Sequence, residues 1–344
     1  MNETQNLFHI SSAPHIGSHD TTRRLMLDVI IALLPAIGVA TYFFGFRVLS
    51  LCAVSVIACV LAEFLYRMLM KKPQTIGDLS ACITGLLLAM SLPATTPYWT
   101  IVVGAFFSIV IVKQLYGGIG KNFMNPALAG RVFLFIAFPG FVNTWPKPLA
   151  TLGVFDGMPT DINAITSATP MMTLHGGVLP EAYTLQEMLV GQRPGSMGEV
   201  AIAALILGGL YLLFRKVITL RIPLTYLGTV ALLTFFFPQG GNAGLDWMLY
   251  QLLGGGLIMG ALFMATDYST SPVTRGGQWM YGIGCGLLTV FIRYFGSYPE
   301  GVSFAILVMN SCVWLFDKWG KPRRFGAVKA PKKAKAKEAA SDGN

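Results

Sequence analysis

Charge is scarce in this chain. Only 12% of its 344 residues are Asp, Glu, Lys or Arg, where a soluble domain carries about a quarter. Charge this sparse, with apolar runs close to 20 residues long, excludes an ordinary water-soluble domain and reads as an integral membrane protein. Cysteine is scarce too. Cys52, Cys59, Cys82, Cys285 and Cys312 all lie in apolar segments, and no two form a CxxC pair. That pattern argues against disulfides and against an iron–sulfur centre built by this chain alone; the thiols read as small buried hydrophobes. No glycine-rich nucleotide loop is present, so chemistry on a dinucleotide belongs to other chains. No cleavable signal peptide is evident: the first 24 residues are polar, and the apolar run from Leu25 is long enough to span. Histidine is limited to four. His9, His15 and His19 cluster in the arm "HISSAPHIGSH" without the carboxylate or cysteine spacing of a metal site, so the arm reads as solvated or partner-binding and no metal is expected.

Positive charge, by contrast, is in excess. The net charge is +9, and much of it sits in the tail "KWGKPRRFGAVKAPKKAKAKEAASDGN". A basic tail can suit nucleic acid. After a long apolar region it reads instead as a cytoplasmic tail near anionic membrane lipid, with no nucleic-acid partner.

Hydropathy places apolar stretches at about 25–46, 48–70, 79–93, 97–116, 128–145, 199–214, 222–238, 248–266, 279–296 and 301–317. The expected architecture is therefore all-α, with about ten transmembrane helices. Arg23 and Arg24, Lys71 and Lys72, Lys113 and Lys121, Arg215, Lys216 and Arg221, Arg275 and the tail all fall on one side. The other side keeps Arg47, Lys147, Arg193 and Arg293. Basic loops stay in the cytoplasm, so both termini are expected there. Five regions follow: an N-terminal arm 1–24, a first five-helix half 25–145, an outer-face loop 146–198, a second five-helix half 199–317 and the tail 318–344. Five spans per half would make the halves inverted relative to each other. Trp145, Trp247 and Trp279 fall near span ends, where an interface belt is expected.

Two stretches interrupt the apolar pattern in similar ways. "GKNFMNPALAGRVF" (120–133) and "ATDYSTSPVTRGGQWMYG" (265–282) both set a polar residue before proline, Asn125-Pro126 and Ser271-Pro272, and both run on into a span. Broken segments of this kind in two halves point to a ligand or ion site between them. Ionisable residues inside spans are costly and invite a functional reading. Asp267 closes the glycine-rich run "GGGLIMGALFMATD" on the second broken motif, where it is either an ion-path group or a capping or base-paired carboxylate. Asp28 and Glu199 lie near span ends, where reaching the interface is the plain reading. Glu63 stands four residues before Arg67, the spacing of an ion pair on one helix face. Asp267, Asp28 and Glu63 are the ion-path candidates, in that order.

The outer loop holds "NAITSATP", residues 163–170. Thr166, Ser167 and Thr169 offer hydroxyls, Ala168 leaves space, and Pro170 stops a helix from running back through the segment. A hydroxyl is a weak nucleophile unless an enzyme activates it, so the stretch reads either as an ordinary turn or as an acceptor for enzymatic modification. His175, a little further on, either contacts a bound group or lies at the surface.

Resemblance sharpens these alternatives. "SSAPHIGSHDTTRRLMLDVIIALLPA", "GKNFMNPALAGRVFLFIAFP", "NAITSATP" and "FMATDYSTSPVTRGG" resemble motifs of the family that unites the RnfD proteins of Rnf-type ferredoxin:NAD⁺ oxidoreductases with the NqrB proteins of Na⁺-translocating NADH:quinone oxidoreductases. The resemblance covers nearly the whole chain and is closer to the Rnf side, since no long N-terminal extension precedes it. It implies ten spans in two inverted five-helix halves, an architecture similar to urea transporters. It implies FMN joined through its phosphate to Thr169 by a flavin transferase, at a motif of the form D-x-x-[ST]-[GS]-A-[ST]. Thr166, Ser167 and Ala168 fill three of its positions, while Asn163 stands at the acidic one. It also implies a noncovalent riboflavin, placed near the NPAL stretch with Asn122 and Asn125 as contacts. The implied role is that of a bacterial inner-membrane component. It would carry electrons within an Rnf-type complex and couple the drop from ferredoxin to NAD⁺ to transport of Na⁺ or H⁺, with no catalytic residue of its own. Two rivals stand beside it: a passive channel or transporter for a small polar solute, and an assembly scaffold without redox function.

Overall fold

A computed structural model describes residues 21–149, 152–154 and 167–321. Among these residues the regular structure is helical. Helix α1 (Thr22–Phe44) starts where the Thr21 hydroxyl accepts the Arg24 N–H, carries Pro35 in its interior, and stops at Gly45, whose φ of 80° is left-handed. A side chain at Gly45 would meet the Leu152 backbone at 2.6 Å, so both the turn and the close approach require glycine. Helix α2 follows directly (Arg47–Leu69). These two helices are long and apolar enough to cross a membrane, and most of their outward side chains, Leu34, Tyr42, Ile57 and Leu61 among them, are exposed. An apolar exterior of that extent is a surface for lipid rather than water.

The apolar stretch 79–93 is not a full span. Helix α3 (Ser80–Met90) has 11 residues and rises about 17 Å, near half of a hydrocarbon core of ~30 Å. The chain then continues without helix through 91–97, where Ser91 to Thr96 are all buried. Hydropathy marks the burial there, and the burial is not helical. Helix α4 (Tyr98–Phe106) runs on as a π-helical segment, Phe107–Gln114. After a glycine-rich turn comes α5 (Pro126–Ala137), another short helix, and a single turn α6 (Pro139–Val142).

In the loop that follows lie α7 (Pro170–His175), α8 (Leu185–Val190) and α9 (Met197–Val200). The later part comprises α10 (Ile202–Phe214), α11 (Arg221–Phe236), α12 (Gly244–Leu253) and α13 (Leu257–Met259), the last extended by a π-helical segment Gly260–Met264. Then come α14 (Arg275–Phe295), α15 (Val302–Ser311) and α16 (Val313–Trp319). The α12–α13 pair bends by 66° at Gly254–Gly256, and α15–α16 by 58° at Cys312. If each bent pair is one span, up to four helical units have the length and composition to cross a membrane.

Packing ties the two parts of the chain into one core. α1 lies on α10, α11 on α14, and α5 on both α3 and α15. The α1–α10 approach is close enough that a methyl on Gly208 would overlap the Ala32 carbonyl; at Gly286 of α14 it would sit 2.6 Å from the Thr229 side chain of α11. Small residues at such crossings let helices gain dispersion contacts where lipid offers no hydrophobic drive. Trp247 departs from the interface-belt expectation. It is fully buried and donates its indole N–H to the Tyr294 hydroxyl at 2.7 Å.

Candidate functional site

The two interrupted motifs meet at one cleft. Its open volume is about 750 Å³, and its walls come from α1, α3, the π-helical segment before the 120–133 motif, the start of α5, the end of α10 and residues 262–269. Asn125 builds the junction. Its side-chain oxygen caps α5 by accepting from Ala127 N at 3.0 Å and Leu128 N at 3.3 Å, with Pro126 preset for the first helical position. Its amide nitrogen donates to the Met264 carbonyl at 3.2 Å, at the end of the second π-helical segment. In the amide orientation that satisfies its neighbours, Asn310 accepts from Asn125 N at 3.1 Å and donates to the Thr270 carbonyl at 3.1 Å. One asparagine thus fixes the 120–133 motif to the 265–282 motif, and a second buttresses both. π-helical turns open the backbone and recur at functional sites; here one precedes each motif.

Asn122 also lines the cleft, with its amide on the Met124 carbonyl at 3.2 Å. Asp267 reaches it from the other side. Its carboxylate accepts from the Ser269 hydroxyl at 2.9 Å and the Thr270 hydroxyl at 3.0 Å, so it organises its own turn and pairs with no base among the described residues. Lys113 and Ser80 complete the polar wall. Lys113 Nζ lies 2.7 Å from Glu63 Oε2 and 2.6 Å from Ser80 Oγ, and the Thr75 hydroxyl donates to Glu63 Oε1 at 2.7 Å. Glu63 therefore does not pair with Arg67, which turns to the Pro73 carbonyl. Helical spacing permits that pair, but a tertiary partner from the π-helical segment takes the carboxylate. Asp28 stands apart at the α1–α10 contact, held by Tyr211 Oη at 3.0 Å and Arg215 Nη2 at 3.1 Å.

A second polar zone surrounds the helix breaks near the 167–198 segment. The Arg293 guanidinium donates to the carbonyls of Gln251 at 2.6 Å and Gly254 at 2.9 Å, and to Gln251 Oε1 at 3.0 Å, and so holds the open end of α12. Arg47 does the same for the 91–97 break through the carbonyls of Ala94 at 2.8 Å and Thr96 at 3.2 Å. Arg131 pairs with Glu300 and donates to Ser303 Oγ at 2.9 Å. Arg193 donates to the Glu199 carbonyl at 2.8 Å and lies 3.7 Å from its carboxylate. Unwound helix ends expose carbonyls that water cannot reach, and guanidinium groups satisfy them. Gln251, Glu300, Ser303, Ser80 and Asn310 do not stand out in the sequence. Their one signal is a polar residue set in an apolar run, which is weak for each alone.

Helix α7 seats on this zone. Met171 and Leu174 are buried with Trp247, and His175 Nδ1 lies 2.7 Å from the Arg293 carbonyl. Thr169 precedes the helix, makes no capping bond with its hydroxyl, and is 3% exposed. Ser167 Oγ is buried with no hydrogen-bond partner among the described residues. Ala168 between them is exposed, while Asn163 and Thr166 lie outside the described residues, as do His9, His15 and His19. No group of His, Cys, Asp or Glu among the described residues is arranged to hold a metal.

Helices interrupted inside a buried core, a polar cleft where the interruptions meet, and an apolar exterior define an integral membrane protein with an internal polar site. The chain belongs to the NQR2, RnfD, RnfE family, whose sequence model matches residues 9–326. It is 43% identical over 330 residues to the D component of the Na⁺-translocating ferredoxin:NAD⁺ oxidoreductase complex of Acetobacterium woodii, covering 95% of this chain and 98% of that one. It is 40% identical over 332 residues to the D component of the proton-translocating ferredoxin:NAD⁺ oxidoreductase complex of Clostridium ljungdahlii, covering 94% and 97%. It is 36% identical over 348 residues to the D component of the ion-translocating oxidoreductase complex of Actinobacillus succinogenes, covering 93% and 98%.

Proposed function

We propose that this chain is the membrane subunit of a bacterial ion-translocating electron transport complex, working between ferredoxin and NAD⁺ beside the other subunits of that complex. The observation that carries the reading is the cleft where both interrupted motifs are tied together by Asn125, with a buried ion pair in its wall. Family membership and the names of the full-length relatives support it. Those names divide between Na⁺ and H⁺ and leave the transported ion to experiment.

The proposal includes ten spans in two inverted five-helix halves, an inner-membrane location, cytoplasmic termini and an outer-face 146–198 loop. The outer-side arginines support this orientation. Arg47, Arg193 and Arg293 are buried and bonded internally, so they no longer count against a cytoplasmic bias of surface charge.

The proposal also includes FMN on Thr169, added by a flavin transferase, and a noncovalent riboflavin in the cleft. The residues present fit both. The Thr169 hydroxyl makes no capping bond, and Ser167 Oγ is buried with no partner among the described residues. The cleft sets the polar side chains of Asn122, Asn125 and Lys113 among apolar ones such as Ile83, Leu87 and Phe263, the mixed lining that a flavin ring requires. Bound flavin would supply the electron transfer; the chain positions it and sets the charge around it. Thr169 is almost fully buried at the start of α7, so on this reading attachment precedes the seating of that helix.

The test is in-gel flavin fluorescence of the denatured chain, made with a flavin transferase, beside Thr169→Ala. A fluorescent band lost in the variant is expected. A dark wild-type band, with solute flux through liposomes holding the chain, would replace this reading with the passive-channel one.

A further inference from the structure

The ion pair in the cleft wall has the composition of a cation site with its cation attached. Glu63 is fully buried and Lys113 is 3% exposed. Their oxygens and nitrogen come from separate elements: Glu63 from α2, Thr75 from the turn between α2 and α3, Ser80 from the first position of α3, and Lys113 from the π-helical segment. Behind them Asp78 Oδ1 accepts from the Ser80 hydroxyl at 2.6 Å and the Ser80 N–H at 2.8 Å, which aims the Ser80 oxygen at the ammonium. A carboxylate and a hydroxyl, backed by a second carboxylate, form a hard-oxygen set of the kind that suits an alkali cation. A buried pair is a poor source of stability, because desolvation offsets the attraction. An ammonium on a four-carbon stem is also the most movable cation a protein has. Lys113 lines the cleft directly, so the path out of the oxygen set leads into it.

We propose that the oxygens of Glu63 and Ser80, which Lys113 occupies in the resting state, form a sodium-ion site with Thr75 steadying the second carboxylate oxygen of Glu63, and that negative charge arriving in the cleft draws Lys113 out and admits Na⁺. The second half rests on the reading that an electron carrier occupies the cleft; the site itself does not. The exchange conserves charge locally, since one monovalent cation replaces another beside Glu63. Arg67, the other cation near Glu63, is engaged by the Pro73 carbonyl and stays. An electron in the cleft would thereby be matched by an ion taken up from the side on which Lys71 and Lys72 lie.

The experiment is thermal unfolding of the detergent-purified, oxidised complex at rising NaCl, with ionic strength held by choline chloride. Lys113→Met leaves the oxygen set without a cation. Its melting temperature is expected to climb with each tenfold increase in Na⁺, as binding to the native state alone requires. Wild type should respond little, and Glu63→Gln/Lys113→Met not at all. Dithionite-reduced wild type should acquire the Na⁺ response. A Lys113→Met complex indifferent to Na⁺, or stabilised only by acid, overturns the site, since Glu63 would then simply take a proton. A response in Lys113→Met without one in reduced wild type overturns the coupling and leaves the site standing. If Lys113→Met does not assemble, rescue by Na⁺ but not K⁺ in the growth medium supports the site. Assembly of the double variant alone, with no rescue, overturns it. The noncovalent flavin extracted from each sample reports separately on occupancy of the cleft.

Discussion

Gly255 concentrates the strain of the α12–α13 break into one position. Its φ is 65°, and a methyl there would sit 2.9 Å from Arg293 Nη2. Gly255→Ala carries about 1–2 kcal/mol for the left-handed backbone and also pushes the guanidinium off the Gly254 carbonyl. The expected result is a lower melting temperature of the purified complex with the covalent flavin band proposed for Thr169 unchanged. Asn125→Ala removes a helix cap, at about 1 kcal/mol, together with the tie to Met264. It should release the noncovalent flavin proposed for the cleft while sparing the proposed covalent band, read by extraction and by gel. Single residues are only partly legible in the sequence. Proline and glycine interruptions flag Asn122, Asn125 and Asp267, and all three line the cleft. The partners of Glu63 and Asp28 are not legible. Lys113 and Arg215 lie 50 and 187 residues away along the chain, and local spacing says nothing of such contacts. Trp247 defeats the belt expectation because position along a span does not reveal which face turns inward.

Among the elements, α8 offers a pH test. Thr184 and Glu187 form a reciprocal capping box, and the Thr184 backbone N–H and hydroxyl hold the Glu187 carboxyl below its usual range. A lowered carboxylate stabilises the helix fully above its unfolded pKa of about 4.3. That contribution fades as pH falls through the lower folded value. Amide exchange of residues 185–190, corrected for intrinsic rates, should show constant protection from neutral pH down to mild acid and lose it only below. Glu187→Gln should weaken protection at neutral pH and flatten the profile. Helices occur wherever hydropathy rises, but their lengths are not legible. Apolar composition marks burial, and 91–96 and 254–255 are buried without being helical, with Arg47 and Arg293 satisfying carbonyls in them. The likeness of 120–133 to 265–282 does identify two stretches that meet. They meet as neighbours across a cleft; the reciprocal contacts run between α5 and α15, where Asn310 reaches the start of α5 and Arg131 the start of α15.

Across the whole molecule the first expectation is topological. Single cysteines placed at 147 and at 216 in a cysteine-free background should react with an impermeant maleimide from opposite sides, the 147 site from outside. Labelling of both from one side would overturn the proposed arrangement. The fold class is legible because lipid imposes composition on every outward face. The way the earlier and later parts of the chain close on each other is not, because it depends on a few polar contacts between distant segments. One of these has a consequence for how the chain is made. Arg131 finds Glu300 and Ser303 only 169 and 172 residues later. A ribosome delivers the arginine to the bilayer long before its counter-ion exists. The early helices must wait, unfinished, with a bare guanidinium seeking water, and a chain stopped at the end of α14 offers the quality-control proteases an unpaired charge.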